Sequence, residues 1–247
     1  MRTPPLVSII TCVINDIKSL EVTIQKMAIE SYANLEFIIV DGGSNDGTKE
    51  LLNQSEAVVT RWVSECDQGI YDAWNKGLKL AKGQYIAFLG AGDYYLPGGL
   101  QDLVELALSD PEAEFIFGRV AIKGYRKKVR IIGMPWSWDI FRHYMCTTHV
   151  GALHSRKLFD RYGPFDSTYR IAGDYELLLR AGVNLRNLFS NNIVAIMQSG
   201  GISQKNERVL IEAMRAKVEH QVVSKITANW DFLVAYLKLL IRNNFLN

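Results

Sequence analysis

Residues 84–97, Gln-Tyr-Ile-Ala-Phe-Leu-Gly-Ala-Gly-Asp-Tyr-Tyr-Leu-Pro, limit most tightly what this chain can fold into. A short apolar run, residues 85–89, ends in a glycine-rich turn that delivers a single carboxylate, Asp93. Such a run between turn residues predicts a buried strand of a parallel sheet. In open α/β sheets, ligands bind beyond the carboxyl ends of such strands, which makes Asp93 the first candidate site residue.

The same unit recurs along the chain. Residues 6–14 predict a first strand, and Asn15-Asp16 then caps a helix whose Ile17, Leu20, Ile24, Met27 and Ala28 fall at helical spacing. Residues 36–40 predict a second strand, ending in the tight loop Asp41-Gly42-Gly43-Ser44-Asn45-Asp46-Gly47-Thr48, with a helix from about Asp46. A third strand is expected over 58–63, followed by a polar loop, Ser64 to Gly69, and a helix marked by Ile70, Ala73, Gly77, Leu78 and Ala81. Pro97 opens a further helix before a strand over 114–122. Strands alternating with helices at this spacing predict an α/β fold with a mainly parallel sheet.

After Lys123 the pattern changes. A basic hairpin over 123–130 gives way to an aromatic stretch with Trp136, Trp138, Phe141 and Tyr144, then a strand around 149–153 and a helix from Ser155. Ile171-Ala172-Gly173-Asp174 leads into a strongly apolar helix, which places Asp174 in its first turn as a cap or a catalyst. Residues 187–197 predict a strand, 200–203 a loop, and 207–247 mostly helix.

Composition narrows the function classes. With 247 residues, 48% of them hydrophobic, the chain can bury a large core. A net charge of +2 from 28 basic and 26 acidic residues gives no electrostatic mandate for nucleic acid. The three cysteines, Cys12, Cys66 and Cys146, are far apart and lack metal-ligand spacing, so a reducing compartment is expected rather than a disulfide framework or zinc site. The first apolar run has no small-residue cleavage site, so no signal peptide is expected, and no stretch reaches the ~18 uninterrupted apolar residues of a spanning helix.

Four acidic loops, at Asp41, Asp67, Asp93 and Asp174, follow strands or open helices, and the fold should bring at least three of them to one edge of the sheet. Asp41, beside Gly42-Gly43, suits either a carboxylate accepting from a nucleobase or ribose, or an Asx turn. Asp93 suits either a hard divalent ion that also binds phosphate oxygens, or a helix cap.

In order and spacing, Val-Ser-Ile-Ile-Thr from Val7, Ile-Ile-Val-Asp-Gly-Gly-Ser-Asn-Asp-Gly-Thr from Ile38, Gly-Ile-Tyr-Asp-Ala-Trp-Asn-Lys-Gly from Gly69 and Tyr-Ile-Ala-Phe-Leu-Gly-Ala-Gly-Asp from Tyr85 resemble glycosyltransferase family 2. The resemblance runs from about Leu6 to Ser203 and implies a GT-A fold and an inverting transferase. It implies that Thr11, Val13 and Asp41 surround the nucleobase of a nucleoside diphosphate sugar, commonly UDP, with Gly43, Asp67 and Asp72 completing the nucleotide-binding set. It also implies that Asp93 holds Mn²⁺ or Mg²⁺ on the diphosphate and that Asp174 is the general base. The acceptor it implies is a hydroxyl of a glycan or lipid-linked saccharide in bacterial polysaccharide biosynthesis, reached in the cytoplasm or at the inner face of the membrane.

The chain departs from the family pattern at three places. Gly90, Ala91 and Gly92 precede Asp93 where a second acid is common, and Gly173 stands where a glutamate usually precedes Asp174, leaving Glu176 as the reserve base. Ala73-Trp74-Asn75 replaces Ala-Arg-Asn, leaving Lys76, Arg170 or a later basic residue to face the diphosphate. These missing groups motivate an alternative, a non-catalytic nucleotide-sugar-binding scaffold. His149 stands where family members often carry a histidine towards the acceptor; on its own it reads as a structural residue.

The expected division is a glycosyltransferase domain over 1–205 and a helical extension over 206–247. In that extension Trp230, Leu233, Leu237, Leu240 and Ile241 form one helical stripe, with Phe232, Tyr236 and Phe245 widening it and Lys225, Lys238 and Arg242 nearby. The stripe suits docking on its own domain, a homodimer, or peripheral membrane contact.

Overall fold

A computed structural model of the chain describes residues 3–125, 128–201 and 207–245. Its strands are β1 (Val7–Val13), β2 (Leu35–Asp41), β3 (Arg61–Ser64), β4 (Tyr85–Gly90), β5 (Tyr94–Tyr95), β6 (Phe115–Tyr125), β7 (Lys128–Ile132), β8 (Ala152–Ser155) and β9 (Asn187–Gln198). The helices are α1 (Ile17–Met27), α2 (Thr48–Gln54), α3 (Ile70–Leu80), α4 (Gly99–Ser109), α5 (Trp138–Phe141), α6 (Arg156–Tyr162), α7 (Gly173–Ala181), α8 (Arg208–Glu219) and α9 (Lys225–Phe245).

The strands join in one mixed sheet, ordered β3-β2-β1-β4-β8-β6-β9-β5, with β7 paired to β6. β1 lies between β2 and β4, parallel to both, and β3 continues the parallel run outside β2. β8 reverses direction between β4 and β6, while β9 is parallel to β6. Val13 is level with Asp41, Asp41 with Ser64, and Cys12 with Gly90, so the three β-α loops that carry Asp41, Asp67 and Asp93 leave the sheet side by side.

Alternation along β1 divides the core. Val7, Ile9 and Val13 meet Leu20, Ile24, Met27, Leu52, Leu100 and Leu103 on one side. Ile10, Ile38, Ile86 and Phe88 meet Tyr71, Trp74, Leu158, Tyr175 and Leu178 on the other. Strands buried on both faces read as continuous apolar runs, which is why they were visible in the sequence.

Three boundaries differ from the expected ones. β3 starts at Arg61 rather than 58, because Val58 and Val59 turn back to the carbonyl of Ser55 at the end of α2. β8 starts at Ala152 rather than 149, since His149 is drawn into an aromatic cluster with Trp74 and Phe88 before the strand begins. α4 starts at Gly99, after Leu96 has bonded to the carbonyl of Val194. The basic hairpin forms as β6 and β7, although its residues 126 and 127 lie outside the described residues, as do 202 and 203 of the loop expected at 200–203 and the chain around the expected division at 205.

Glu36 ties the sheet together at the edge remote from those loops. It is 4% exposed, and it accepts from the Ser8 hydroxyl of β1 (2.6 Å), the Gly83 N–H ahead of β4 (3.2 Å) and the Lys82 N–H. Removing a buried acceptor strands its donors, so Glu36→Ala should destabilise the protein by about 2–4 kcal/mol. Urea unfolding monitored by circular dichroism reads this directly; a change within experimental error would show that water replaces the carboxylate.

Candidate functional site

The parallel strand ends bring several of the expected residues together. The Asp41 carboxylate, at the end of β2, has no accessible surface and accepts from the Ser44 N–H (3.1 Å), the Ser44 hydroxyl and the Ser64 hydroxyl. It closes the Asp-Gly-Gly-Ser loop from below, so a ligand N–H reaches it only by displacing a serine. Thr11 also lacks accessible surface, and its Oγ1 has no partner among the described residues, whereas Val13 is 6% exposed and accepts through its carbonyl from the Gly42 N–H (2.9 Å). Gly43 is exposed above them.

Asp67 lies across this loop. A Cβ on Gly42 would stand 2.6 Å from Asp67 Oδ2, so glycine here leaves room for the Asp67 carboxylate against the loop. The other oxygen, Oδ1, accepts from the Gly69 N–H (2.8 Å) at the start of α3. Asp72, one turn into α3, accepts from the Gln68 N–H (3.0 Å) and faces Lys76 at 3.6 Å. Lys76 is committed to Glu65 (3.1 Å) and the Cys66 carbonyl (2.7 Å). Arg170 is exposed, with Nη1 2.8 Å from the place a Gly69 Cβ would take, so of the two basic candidates Arg170 stands over the α3 N-terminus.

Asp174 sits in the first turn of α7. Its Oδ1 accepts from the Tyr175 N–H (2.8 Å) and faces the Tyr71 hydroxyl of α3 (3.2 Å), which also donates to the Ile171 carbonyl (2.8 Å). Among the described residues no other residue bonds to Oδ2, and Asp174 as a whole is half-buried. Burial raises the pKa of Asp174 to about 6, against the lowering effect of the Tyr175 N–H and the Tyr71 hydroxyl. A carboxylate in this range is ionised at neutral pH yet basic enough to take a proton.

Gly173 has a physical reason. A Cβ there would fall 2.8 Å from the Tyr71 ring, so the position of the missing glutamate is filled by tyrosine. Glu176, the reserve base, does not reach the site: it is 2% exposed and held at Arg180 (2.9 Å) and His220 (2.7 Å).

Asp93 is 6% exposed and accepts from the N–H groups of Gln198 (2.8 Å) and Gly90 (3.2 Å). Burial pushes its pKa up to about 7 despite those two donors. Among the described residues no group of three or more His, Cys, Asp or Glu can hold a metal ion. The residues therefore fit a divalent cation only as a single-carboxylate site, completed by water and diphosphate oxygens, which is a common arrangement for Mg²⁺. The raised pKa of Asp93 marks a buried carboxyl group without a positive neighbour among the described residues, the state a cation would relieve.

His149 is 7% exposed, its pKa is driven down by burial, and it stacks on Trp74 (4.7 Å) and Phe88 (5.1 Å), beneath the site rather than in it. Trp136 packs on Phe141 (4.3 Å), and Tyr144 is exposed. Sequence reasoning singled out neither Tyr71 nor Glu212 of α8, whose carboxylate accepts from the backbone just ahead of α7. Tyr71 lies inside a motif already noted, whereas Glu212 had no signal, being one more acid on a polar helix.

Residues 8–161 match the model of the family described as Glycosyl transferase family 2. Over 84% of this chain and 80% of its own length, an uncharacterized glycosyltransferase of Mycobacterium tuberculosis is 29% identical. The Escherichia coli protein WfaP, named UDP-Glc:alpha-D-GlcNAc-diphosphoundecaprenol beta-1,3-glucosyltransferase, is 25% identical over 88% of this chain and 90% of its own. Among solved structures, residues 1–349 of Staphylococcus aureus TarS in complex with UDP-GlcNAc superpose with a TM-score of 0.70 at 16% identity, covering 96% of this chain and 74% of that one. The mannosyltransferase PcManGT of Pyrobaculum calidifontis, in complex with GDP-Man and Mn²⁺, gives 0.64 at 17%, covering 95% and 76%. These likenesses establish the fold as GT-A.

The Asp93 carboxyl group keeps its proton to about pH 7 when folded but releases it near 3.8 when unfolded. Its contribution favours the folded state below about pH 4 and is lost as the pH rises through 7. In EDTA, stability should thus fall between pH 4.5 and 7.5 by roughly 1 kcal/mol per unit, and Asp93→Asn should flatten that slope. Denaturant unfolding across the range measures it; parallel slopes in the two proteins would contradict it.

Proposed function

The chain belongs to glycosyl transferase family 2, and from that premise we propose that it transfers a sugar from a UDP-sugar to a hydroxyl of a glycan or lipid-linked acceptor, with inversion at the anomeric carbon. The observation that carries this reading is Asp174. One of its oxygens is held by the Tyr175 N–H and the Tyr71 hydroxyl, the other takes no bond from another described residue, and burial raises its pKa to about 6. In the proposed reaction Asp174 takes the proton of the acceptor hydroxyl as that oxygen bonds to the anomeric carbon and the bond to the diphosphate breaks on the opposite face.

Placement supports the remaining roles in this reading. The 41–44 loop and Asp67, with Val13 beneath, form the wall against which the nucleoside rests, and the Asp41 carboxylate keeps that loop in shape. Thr11 supports it from inside the sheet. Asp72 orders the turn before α3, and Arg170 supplies the charge facing the diphosphate. Mn²⁺ or Mg²⁺ on Asp93, when bound, would neutralise the departing diphosphate. UDP as the donor nucleotide is supported by the UDP-linked names of WfaP and the TarS complex, and a lipid-linked acceptor by the diphosphoundecaprenol substrate in WfaP's name.

Membrane attachment is part of the proposal. Among the described residues no helix is long and apolar enough to cross a membrane. On α9, however, Ile226, Trp230, Leu233, Leu237 and Ile241 are exposed along one face, with Lys225 and Lys238 exposed at its borders. The acid of that helix, Asp231, is turned inward to Lys217 (2.8 Å) and His143 (3.0 Å). An apolar stripe with basic borders suits the surface of an anionic bilayer.

Two measurements test these claims. With a panel of UDP-sugars, the wild type should release UDP with a rate that falls below about pH 6, and Asp174→Asn should be slower by about 10²–10⁴-fold; equal rates would overturn the assignment of the base. Asp174-dependent turnover also excludes the scaffold reading. On phosphatidylglycerol vesicles, Leu237→Glu should abolish cosedimentation of the full chain, and undiminished binding would remove α9 from the membrane.

A further inference from the structure

We propose, resting on the transferase reading above, that Glu212 is the positioning residue for Asp174. From α8, forty residues downstream in sequence, it gathers the backbone that starts α7 and fixes the carboxylate carried in its first turn. Glu212 Oε2 accepts from the N–H groups of Arg170 (3.1 Å), Ile171 (2.8 Å) and Ala172 (2.9 Å), and Oε1 accepts again from Arg170 (3.0 Å). α7 has no side-chain cap of its own, because Ala172 stands at the capping position. Glu212 meets the N–H of the capping residue Ala172 and those of the two residues before it, donors that would otherwise need water.

The contact belongs to a longer clamp. On the same helix Arg215 bonds to the Thr168 hydroxyl (2.9 Å) and lies over the Tyr169 ring (4.2 Å), while Glu219 accepts from the Tyr169 hydroxyl (2.6 Å). Residues 212, 215 and 219 share one face of α8 and hold residues 168–172 in succession. Tyr71 closes the segment from the opposite side, through the Ile171 carbonyl and Asp174.

The choice of an acid here is informative. A neutral acceptor would satisfy a helix start, whereas a second carboxylate near Asp174 costs repulsion. Among the described residues Glu212 makes no ion pair, so its charge is directed at those N–H groups, and it adds a little to the burial that raises the proton affinity of Asp174. Among the described residues, the groups that act on Asp174 from other elements are the Tyr71 hydroxyl of α3 and, more weakly, the Glu212 charge of α8. On its own segment, Arg170 lies against Gly69, and Glu176 is turned to Arg180 and His220. Glu212 thereby fixes where the base stands and holds its proton affinity closer to neutrality.

The test uses the full chain with ¹³C-carboxyl aspartate, in wild type, Glu212→Gln and Glu212→Ala. In Glu212→Gln, which keeps an acceptor but loses the charge, the Asp174 resonance should titrate lower, and the acid limb of UDP release should move with it. In Glu212→Ala, kcat should fall about tenfold or more at a donor KM within about twofold. An unchanged Asp174 titration in folded Glu212→Gln overturns the proposal, as does a kcat loss no larger than the loss of folded protein. The resonance reports on the clamp whether or not a donor is turned over, so failure of the transferase reading and failure of the clamp are seen separately.

Discussion

β1 is hydrogen-bonded on both sides to parallel partners, β2 and β4, and the site depends on that constraint. Parallel neighbours in register must release their chains at the same edge, so the loops after Val13, Asp41 and Gly90 emerge together whatever their sequences. The pairing also seals both faces of the strands in hydrophobic side chains, which makes it rigid. Glu36 strengthens it at the remote edge, where its carboxylate draws β1 and the start of β4 onto β2.

Rigidity at the strand ends has an electrostatic consequence. Asp93 and Asp174 are held by a few N–H or O–H groups in poorly solvated positions, and both are pushed towards neutral pKa values. Asp41 lies at least as deep and is enclosed by two serines. The acids thereby divide into two roles. Asp41 is already satisfied and shapes a loop, whereas Asp93 and Asp174 gain from a cation or a proton respectively. Buried acids so poised are found where chemistry is done.

Much of this was legible in the sequence because the strands are short, apolar and punctuated by glycine and acid. The runs at 6–14, 36–40 and 85–89 coincide with β1, β2 and β4, and Asp174 lies in the first helical turn as its spacing required. The start of β3 was not legible, because Val58 and Val59 are as apolar as a strand but serve a turn. Glu176 looked like a spare base from its distance along the chain, yet helical phase turns it inward to Arg180 and His220. Glu212 could not be read at all. Its partners are backbone N–H groups forty residues away, and no residue type marks them.

The strand ends are proposed to form a nucleotide cleft whose cation site is Asp93. Calorimetric titration of UDP and of GDP, each with and without Mn²⁺, into wild type and Asp93→Ala tests it most directly. The account predicts UDP binding that strengthens with Mn²⁺ and loses that gain in the variant, with GDP weaker throughout. Binding that ignores both the metal and the substitution, or no binding by either nucleotide, would contradict it.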